Sequence, residues 1–498
     1  MNFQVLTAPP EQADVALLAV LMPRQTARAM PSALARLDAA TNGLLARQFT
    51  TGEFTGARDE TASIPLMAKG PERVLLVGLG AQGDVGRSAL RRAASIAARR
   101  ARALGTGSVD CWTPAAFRNA VTPREYAQVL VEGMGQGAWF FDELKRPSED
   151  KKQPVERGTV RGDQGEEAEL RAGLAVGAAV AEGQALARRL QILPPNQCTP
   201  SLLAETAVEL GKRHGFTVTV LDRAQMLKEG MGALLAVAQG SQTEPRFVTI
   251  EYRGGGDAAP VGLVGKGITF DTGGISIKPA AQMEDMKYDM SGAAAVLGAM
   301  EAIGRLKPKL NVVGVVPSSD NMPSGSAVRP ADVVKSHFGK TIEIVNTDAE
   351  GRLILADALS WVRRFKPAAV LDAATLTGAA LYVTGNQASP IMGNDEALIE
   401  EVRRASDRAG ERVWPLPMLE EFREQNKSDV ADVKNSGGRN AGTITAGWFL
   451  REFVDGYPWV HLDVAGTAYT DSDSPPLPKG PAGVPVRLFV EFVLGRAG

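Results

Sequence analysis

The sequence predicts an α/β fold: an N-terminal α/β domain, followed by a larger C-terminal α/β domain with a mostly parallel, helix-covered central sheet. Three observations predict it. Strand-like and helix-like segments alternate along the chain. Several strand-like segments are near-continuous apolar runs, as expected for strands that helices cover on both faces. Glycine-rich junctions separate the segments of the second part, which is typical of strand–helix repeats.

The N-terminal part is predicted to be a domain of its own. Arg73–Val77 has the apolar run of a buried strand, and Ser88–Ala103 has the Ala- and Arg-rich composition of a helix. Arg146–Glu167 is charged and nearly free of apolar periodicity, which predicts an exposed linker. Ala168–Leu190 carries Ala and Leu at helical spacing. The predicted boundaries are 1–165 for the N-terminal domain, 166–195 for a linker helix and 196–498 for the C-terminal domain.

The C-terminal part repeats the alternation more regularly. Its predicted strands are Phe247–Tyr252, Val261–Lys266, Leu310–Val316, Ile342–Asn346, Ala368–Ala373 and Trp459–Val464. Its predicted helices are Ser291–Leu306, Leu353–Arg364 and Glu396–Ala409. Ligands of open α/β sheets bind at the carboxyl ends of strands, so polar residues that follow these strands are the candidates for a functional site.

The composition excludes several classes of protein. The 498 residues include 55 Lys+Arg and 57 Asp+Glu, a net charge of −2, so the chain is not a dedicated polyanion binder. Two cysteines, Cys111 and Cys198, cannot form a disulfide framework and suit a reducing compartment. Of the three histidines, His461 is predicted to be structural, and His214 and His337 to be surface or capping residues. A metal site must therefore use carboxylates.

The N-terminus and the hydropathy predict a soluble cytoplasmic protein without a membrane partner. The apolar run Ala16–Met22 follows Glu11 and Asp14 rather than basic residues, which is the opposite flank to that of a signal peptide. No run approaches the roughly 20 apolar residues of a membrane span.

The densest polar cluster runs from Lys266, at the end of a predicted strand, to Asp289, just before a predicted helix. It also contains Asp271 and Lys278. Taken singly, each residue could be a helix N-cap or part of a surface salt bridge. Together they bring two carboxylates and two amines to one strand end, which indicates a binding site.

A second polar cluster follows the predicted strand Ile342–Asn346. Residues two apart in an extended segment project from the same face, so Asp348, Glu350 and Arg352 could point one way. A surface turn would explain these charges, but the following helix is very apolar, which places the turn against a core. Two carboxylates on one side of a tight turn repel each other unless a cation lies between them.

Metal ions would balance the charge of the two clusters together. Four carboxylates in a cleft of low dielectric cost several kcal/mol unless they are neutralised. Two divalent cations about 3.5–4 Å apart are a recurrent solution in hydrolytic sites. Lysine ligates a metal only as a neutral amine, and burial beside two dications would lower the pKa of Lys266 toward that state.

These residues carry a resemblance to a known family. Asn346–Leu353 reads NTDAEGRL and resembles the signature of the leucyl aminopeptidase (cytosol aminopeptidase) family, the dinuclear metallo-aminopeptidases. Lys266, Asp271, Lys278 and Asp289 match the other active-site stretch of that family at its own spacing. The resemblance spans about residues 190–490 and includes Pro317–Val334, Asp372–Gly378, Trp414–Met418, Asp429–Asn435 and Trp459–Gly466.

The resemblance implies two divalent metal ions in each subunit. One site would be formed by Lys266, Asp271, Asp289 and Glu350. The other, more exchangeable site would use Asp271, Asp348 and Glu350, so that two of these carboxylates bridge the ions. Family members use zinc, and manganese or magnesium can occupy the looser site.

The resemblance also implies the chemistry. Members release N-terminal amino acids, with a preference for leucine and other apolar residues, from peptide substrates by means of a water activated by two metals. Lys278 would stabilise the oxyanion, and Arg352 would hold a bicarbonate ion that serves as the general base. The implied substrate-binding residues are Met286, Thr375, Leu376 and Gly378.

Two positions depart from the family pattern. Asp320 stands where the family usually has Glu, and Ala331 stands where it usually has Gly. Neither belongs to the implied metal ligands, so the departures concern the geometry of a loop.

The N-terminal domain carries no diagnostic motif, and the resemblance implies that it helps to assemble a homohexamer. A few bacterial relatives also bind DNA, so a non-catalytic or DNA-binding scaffold is the alternative function. Residues 1–150 have 17 basic and 15 acidic side chains, a net of +2, which does not favour that alternative.

One motif of the N-terminal domain suggests a different class of protein, an NAD-dependent oxidoreductase. Gly78–Gly83 matches the glycine pattern of dinucleotide-binding turns. The acidic residue expected about 20 residues later has only the late Asp110 as a candidate. A tight strand-to-helix turn explains the glycines without a cofactor.

Overall fold

The chain folds into two compact units. The structure, a computed structural model, describes residues 1–25, 28–66, 70–146 and 152–498. The first unit comprises Met1–Ala185 and Ser472–Lys479, and the second comprises Leu186–Asp471 and Gly480–Gly498. The described residues contain no helix that is long and apolar enough to cross a membrane.

The first unit is a sheet with flanking helices. Its strands are β1 (Asn2–Leu6), β2 (Leu18–Met22), β3 (Thr61–Pro65), β4 (Arg73–Gly78), β5 (Ser108–Trp112) and β6 (Arg157–Arg161). Its helices are α1 (Ala35–Ala40), α2 (Leu44–Thr51), α3 (Arg87–Leu104), α4 (Pro123–Ala138) and most of α5 (Glu167–Ile192), inside which the division between the units falls. Among the described strands the order is β1-β6-β5-β2-β4-β3, and all neighbours are parallel except β3 with β4.

One prediction for this unit was wrong. Arg146–Glu167 is not simply an exposed linker, because it contains β6, which pairs with β1 and β5 and has only its first residue exposed. Arg161 can be buried in this strand because Asp110 neutralises its charge: Arg161 Nε lies 2.7 Å from Asp110 Oδ2. A buried, paired arginine cannot be distinguished from surface charge in a sequence. Residues 147–151 of the segment lie outside the described residues.

Two of the three glycines of the Gly78–Gly83 motif, Gly78 and Gly80, are required by the turn after β4. A Cβ at Gly78 would lie 1.8 Å from the carbonyl oxygen of Ala57, and Gly80 has a φ of +90°. Both glycines therefore have a steric reason that involves no cofactor.

The second unit contains the remaining elements. Its strands are β7 (Thr217–Leu221), β8 (Arg246–Arg253), β9 (Val261–Gly265), β10 (Gly267–Asp271), β11 (Asn311–Asn321), β12 (Asp332–Lys335), β13 (Thr341–Ile344), β14 (Ala369–Ala374), β15 (Ser389–Gly393), β16 (Val413–Pro415), β17 (Val433–Lys434), β18 (Trp459–Asp463), β19 (Tyr469–Thr470) and β20 (Gly480–Pro481). Its helices are α6 (Pro200–His214), α7 (Arg223–Lys228), α8 (Gly232–Ala238), α9 (Ser291–Leu306), α10 (Gly351–Val362), α11 (Ala379–Thr384), α12 (Glu396–Ala409), α13 (Glu420–Arg423), α14 (Gly442–Arg451) and α15 (Val486–Ala497).

The main sheet of this unit has the order β16-β15-β18-β14-β9-β11-β8-β7 among its described strands, with β10 paired to β11. The central neighbours β18, β14, β9 and β11 are parallel. The strands β15, β8 and β7 add antiparallel pairs toward the edges. The predicted α/β class with a mostly parallel sheet is confirmed. A smaller sheet, β12-β13-β17, lies beside the turn that leads into α10.

Helices cover both faces of the central strands. Val313 and Val315 of β11 belong to the same buried cluster as the apolar residues of α10 and α8. The intervening Gly314 faces the other way, where a Cβ would lie 3.1 Å from Val296 of α9. Strands covered on both faces need apolar residues at every position, which explains the continuous apolar runs of the sequence.

Candidate metal centre

The two predicted clusters lie at the same edge of the main sheet. Lys266 separates β9 from β10, Asp271 ends β10, and Asp289 lies in a short 3-10 helix that leads into α9. Asp348 and Glu350 lie between β13 and α10. Because β9 and β14 are parallel neighbours, this is the carboxyl edge at which α/β sheets bind ligands.

Lys266 is buried among carboxylates. Its Nζ lies 2.8 Å from both Asp289 Oδ1 and Glu350 Oε1. It also donates to the carbonyl oxygen of Thr375 at 2.9 Å. Gly351 makes room for this amine, since a Cβ there would lie 2.5 Å from Lys266 Cε. Burial alone would lower the pKa of Lys266, but the neighbouring carboxylates outweigh burial and raise it, so a proton must leave before this amine can ligate a metal.

Lys278 joins the two clusters. Its Nζ lies 2.7 Å from Asp271 Oδ2 and 2.5 Å from Asp348 Oδ1. Burial opposes the charge of this ammonium, but Asp271 and Glu350 outweigh it and raise the pKa of Lys278. Lys278 is therefore held as a cation beside the carboxylates, and 21% of its side chain remains exposed to solvent.

Three carboxylates are close enough to share a metal ion. Asp271, Asp348 and Glu350 each offer an oxygen, and these oxygens lie within 4.8 Å of one another. Burial, followed by the charge of Glu350, raises the pKa of Asp271 to about 6, and burial raises the pKa of Asp289 well above its ordinary value. Such shifts mark an excess of buried negative charge, which divalent cations would neutralise.

Two buried carboxylate oxygens strengthen the fit to metal ions. Asp289 Oδ2 and Glu350 Oε2 have no hydrogen-bond partner within the described part of the chain. A buried oxygen without a partner is costly unless another group binds it. The donor set, with hard oxygens and one amine, suits borderline and hard divalent metals.

Arg352 lies in the first turn of α10, and its side chain is buried. Its Nη1 donates to the carbonyl oxygen of Asn435 at 2.8 Å. Its buried Nε has no partner among the described residues. Burial lowers the pKa of Arg352 to about 10, and the guanidinium stays charged at neutral pH. An unpartnered, charged donor at this place fits an anion.

The predicted substrate residues occupy two segments. Met286 is half-buried in the same 3-10 helix as Asp289. Thr375, Leu376 and Gly378 follow β14 at the carboxyl edge of the sheet. Thr375 Oγ1 donates to Asp289 Oδ1 at 2.7 Å, so this segment directly contacts the cluster. A Cβ at Gly378 would meet no atom within 4 Å, which leaves open space there.

Three buried residues at this edge were missed by the sequence analysis: Asn321, Asn435 and Asp463. Asn321 Nδ2 donates to Asp271 Oδ1 and to the carbonyl oxygen of Thr347, and so links the two clusters. It ends β11, which the sequence predicted to end at Val316. Because the predicted strand stopped short of Asn321, no local signal in the sequence marked this residue.

The histidines take no part in the described carboxylate cluster. His461 is buried, with its Nδ1 2.6 Å from Asp372 Oδ1, in a structural pairing of neighbouring strands. His214 is not a surface residue, because only 8% of its side chain is exposed and its Nε2 pairs with Glu301. Helix-end histidines can bury against the next helix, and sequence position alone does not reveal this.

The fold and the site together define an α/β protein with a candidate metal centre of carboxylates and a buried lysine. The sequence profile of the cytosol aminopeptidase family, catalytic domain, matches residues 185–490. The profile of the N-terminal domain of the same family matches residues 19–148. The chain therefore belongs to the cytosol aminopeptidase family and is a metallo-exopeptidase, as the sequence resemblance predicted.

Individual relatives agree with this assignment over nearly the whole chain. A probable cytosol aminopeptidase of Azoarcus sp. (strain BH72) is 45% identical over 511 aligned positions, covering 100% of this chain and 99% of the relative. A probable cytosol aminopeptidase of Geotalea uraniireducens (strain Rf4) is 45% identical and covers 92% of this chain and 93% of the relative.

Two solved structures are similar throughout. The bottromycin maturation enzyme BotP in complex with Mn has a TM-score of 0.85 at 34% identity and covers 97% of this chain and 100% of its own. A mutant of tomato leucine aminopeptidase has a TM-score of 0.89 at 31% identity and covers 99% of this chain and 96% of its own.

Proposed function

We propose that this protein is an aminopeptidase that releases N-terminal leucine and other apolar residues from peptides with a water activated by two divalent metal ions. One observation carries the proposal. Three carboxylate oxygens of Asp271, Asp348 and Glu350 lie within 4.8 Å of one another, beside the buried amine of Lys266. This convergence brings together residues that are up to 84 positions apart in the sequence.

The residues divide into two overlapping metal sites. Lys266, Asp271, Asp289 and Glu350 would hold one ion, and Asp271, Asp348 and Glu350 would hold the other. When bound, the ions would supply an activated water and polarise the peptide carbonyl. Zinc or manganese suits these donors, with magnesium a further option at the looser second site. The similarity to an enzyme whose structure was solved in complex with Mn supports this choice.

Two cationic side chains would act on the reacting groups. Lys278, which is held as an ammonium and keeps 21% of its side chain exposed, would stabilise the oxyanion that develops on the peptide carbonyl. Arg352, with a buried Nε that lacks a described partner, would hold a bicarbonate ion as the general base. A borrowed base fits a cluster without histidine.

The segment after β14 would position the peptide. Thr375 and Leu376 would contact its backbone, while Met286 and Gly378 would line the pocket for its first side chain. Gly378 is exposed with no atom within 4 Å of a Cβ placed there, and Met286 is half-buried, so both leave room for that side chain. A free α-amine on the substrate would bind at the metals and limit cleavage to the first peptide bond.

The family likeness also supports two proposals about the whole protein. We propose that it works in the cytoplasm and that it assembles as a homohexamer.

The test is metal-dependent hydrolysis of leucine p-nitroanilide. Chelator-stripped protein is titrated with zinc and manganese beside Lys266→Ala, Glu350→Ala and, as a control, Glu400→Ala on the exposed side of α12. We expect restored activity in the wild type and the control, and none in the two site variants. No activity of the metal-loaded wild type on several aminoacyl substrates would contradict the proposal, and DNA binding would then be measured.

A further inference from the structure

Asn435, which lies outside both clusters, is bonded to the segment that precedes Glu350. Its Nδ2 donates to the carbonyl oxygens of Asn346 at 2.7 Å and Ala349 at 3.3 Å. Its Oδ1 accepts from the backbone N–H of Val345 at 2.9 Å and of Asn346 at 3.3 Å. One fully buried amide therefore connects both ends of the turn that contains Asp348.

The backbone of Asn435 also contacts the site. Its carbonyl oxygen accepts the hydrogen bond from Arg352 Nη1 at 2.8 Å. Its N–H donates to the carbonyl oxygen of Glu343 at 2.9 Å. This bond continues the parallel pairing of β17 with β13 by one residue beyond the end of β17. The small sheet thus places this residue beside the turn and beside the guanidinium at the same time.

The chemistry of these bonds requires an amide. The turn offers backbone N–H donors on one side and backbone carbonyl acceptors on the other. An amide supplies an acceptor oxygen and two donor hydrogens in one plane, whereas a carboxylate supplies only acceptors and an apolar group supplies neither. In a buried place every lost bond leaves a backbone group without a partner.

We infer that Asn435 is a positioning residue that holds the ligands Asp348 and Glu350 and the guanidinium of Arg352 in place, without touching substrate or metal. The inference rests on the proposed function, because it takes those residues as the working groups. Changes to residues that orient metal ligands typically cost about 10- to 100-fold in metal affinity or activity. A comparable loss is expected here.

Asn311 provides a matched control for the loss of a buried asparagine. Its Oδ1 accepts from Gly255 N, and its Nδ2 donates to the carbonyl oxygens of Gly256 and Ala258. It begins β11, and the other end of this strand, Asn321, is hydrogen-bonded to Asp271 of the carboxylate cluster. The ten intervening steps of an extended strand separate the two by roughly 33 Å.

The experiment compares Asn435→Ala, the milder Asn435→Ser and Asn311→Ala with the wild type. Mn²⁺ binding to chelator-stripped protein is measured by titration calorimetry without substrate, and unfolding by urea gives the stability of each variant. Hydrolysis of leucine p-nitroanilide gives kcat and KM. We expect the Ala variants at both positions to lose similar stability, while Mn²⁺ affinity and kcat fall about 10- to 100-fold at position 435 alone. The Mn²⁺ affinity and kcat of Asn435→Ser should lie between those of the wild type and those of Asn435→Ala.

Two results would overturn the inference. One is wild-type Mn²⁺ affinity and kcat in folded Asn435→Ala, and the other is an equal loss of both in Asn311→Ala. A wild type that binds Mn²⁺ but hydrolyses no aminoacyl substrate contradicts the proposed function alone. The binding isotherms of the variants then decide the positioning role without reference to activity.

Discussion

Each lysine of the metal centre contacts a different pair of carboxylates. Lys266 lies between Asp289 and Glu350, and Lys278 lies between Asp271 and Asp348. Two ammonium groups offset part of the charge of four carboxylates, which makes the cluster compatible with a folded metal-free chain. The two lysines differ in access to solvent, because the side chain of Lys266 is 3% exposed whereas that of Lys278 is 21% exposed.

This difference predicts separate effects of Lys278 on catalysis and on metal binding. Lys278→Ala should lower kcat by about 100- to 1000-fold, because a donor to the developing oxyanion is lost. Mn²⁺ affinity should stay the same or rise, because no ammonium competes for Asp271 and Asp348. Calorimetry and steady-state kinetics on the same preparation measure both quantities. Loss of Mn²⁺ binding in parallel with kcat would contradict the assigned role.

Substitution of Asp463 is expected to weaken substrate binding without affecting the metal site. Its buried carboxylate accepts from Leu376 N at 3.2 Å and from Thr377 Oγ1 at 2.7 Å, which fixes the segment after β14. Asp463→Asn removes one acceptor, at a cost of about 1 kcal/mol, so KM should rise roughly 5- to 10-fold with little change in Mn²⁺ affinity.

A matched control for Asp463 is Asp357→Asn. Asp357 is equally buried and also accepts backbone N–H groups, from Leu234 and His337. This variant should lose stability while its KM stays at the wild-type value. A similar rise of KM in both variants would mean that the effect is general loosening of the fold.

The predicted site residues and the missed ones differ in how far apart they lie in sequence. Asp348, Glu350 and Arg352 fall within one short motif, so local spacing is enough to group them. Asn321 and Asn435 join the same site only because strand pairing brings distant strand ends together. That pairing is a tertiary property, and a lone asparagine carries no local signal of it.

At the level of elements, the turn before β12 contains a strained alanine. Ala331 has a φ of +77° while its N–H donates to the carbonyl oxygen of Ile344 across the hairpin of β12 and β13. An L-residue in this conformation costs roughly 1–2 kcal/mol relative to the right-handed region. The sequence analysis identified this position as a departure from the family glycine, and the backbone conformation gives the physical reason for that glycine.

Ala331→Gly should therefore stabilise the protein. The relief of strain exceeds the roughly 0.4–1 kcal/mol by which glycine favours the unfolded chain, so we expect a net gain of about 0.5–1 kcal/mol. Urea unfolding measures it. The control is Ala397→Gly on the exposed face of α12, which should lose up to about 1 kcal/mol because glycine is a poor helix former. A loss at both positions would contradict the strain argument.

Helices and strands could be predicted where the hydrophobic pattern of the segment matches the burial of its residues in the fold. The bounds of α9 and α12 match the predicted helices, because α9 is buried over almost its whole length and α12 buries one apolar stripe. β6 was missed because its burial depends on partners elsewhere: Arg161 is neutralised by Asp110 of β5, about fifty residues earlier. Periodicity alone cannot register a charge that tertiary structure neutralises.

At the scale of the whole molecule, the described carboxylate cluster belongs to one of the two compact units. Every implied ligand lies within Leu186–Asp471. The sheet of the other unit contributes no residue to this cluster among the described positions. Metal binding should therefore affect the stability of the two units unequally.

Metal loading is expected to stabilise the second unit selectively. A ligand at 100 times its dissociation constant stabilises the state that binds it by about 2.7 kcal/mol for each site, and the unfolded chain cannot assemble these distant carboxylates. Hydrogen exchange of chelator-stripped and Mn²⁺-loaded protein measures the effect by region. Protection should rise around residues 345–352 and in β9 and β14, while β1 to β6 stay unchanged. Glu350→Ala should abolish the rise, since Glu350 is an implied ligand of both ions. An equal rise in that variant, or a rise spread over both units, would mean that Mn²⁺ acts by surface binding instead.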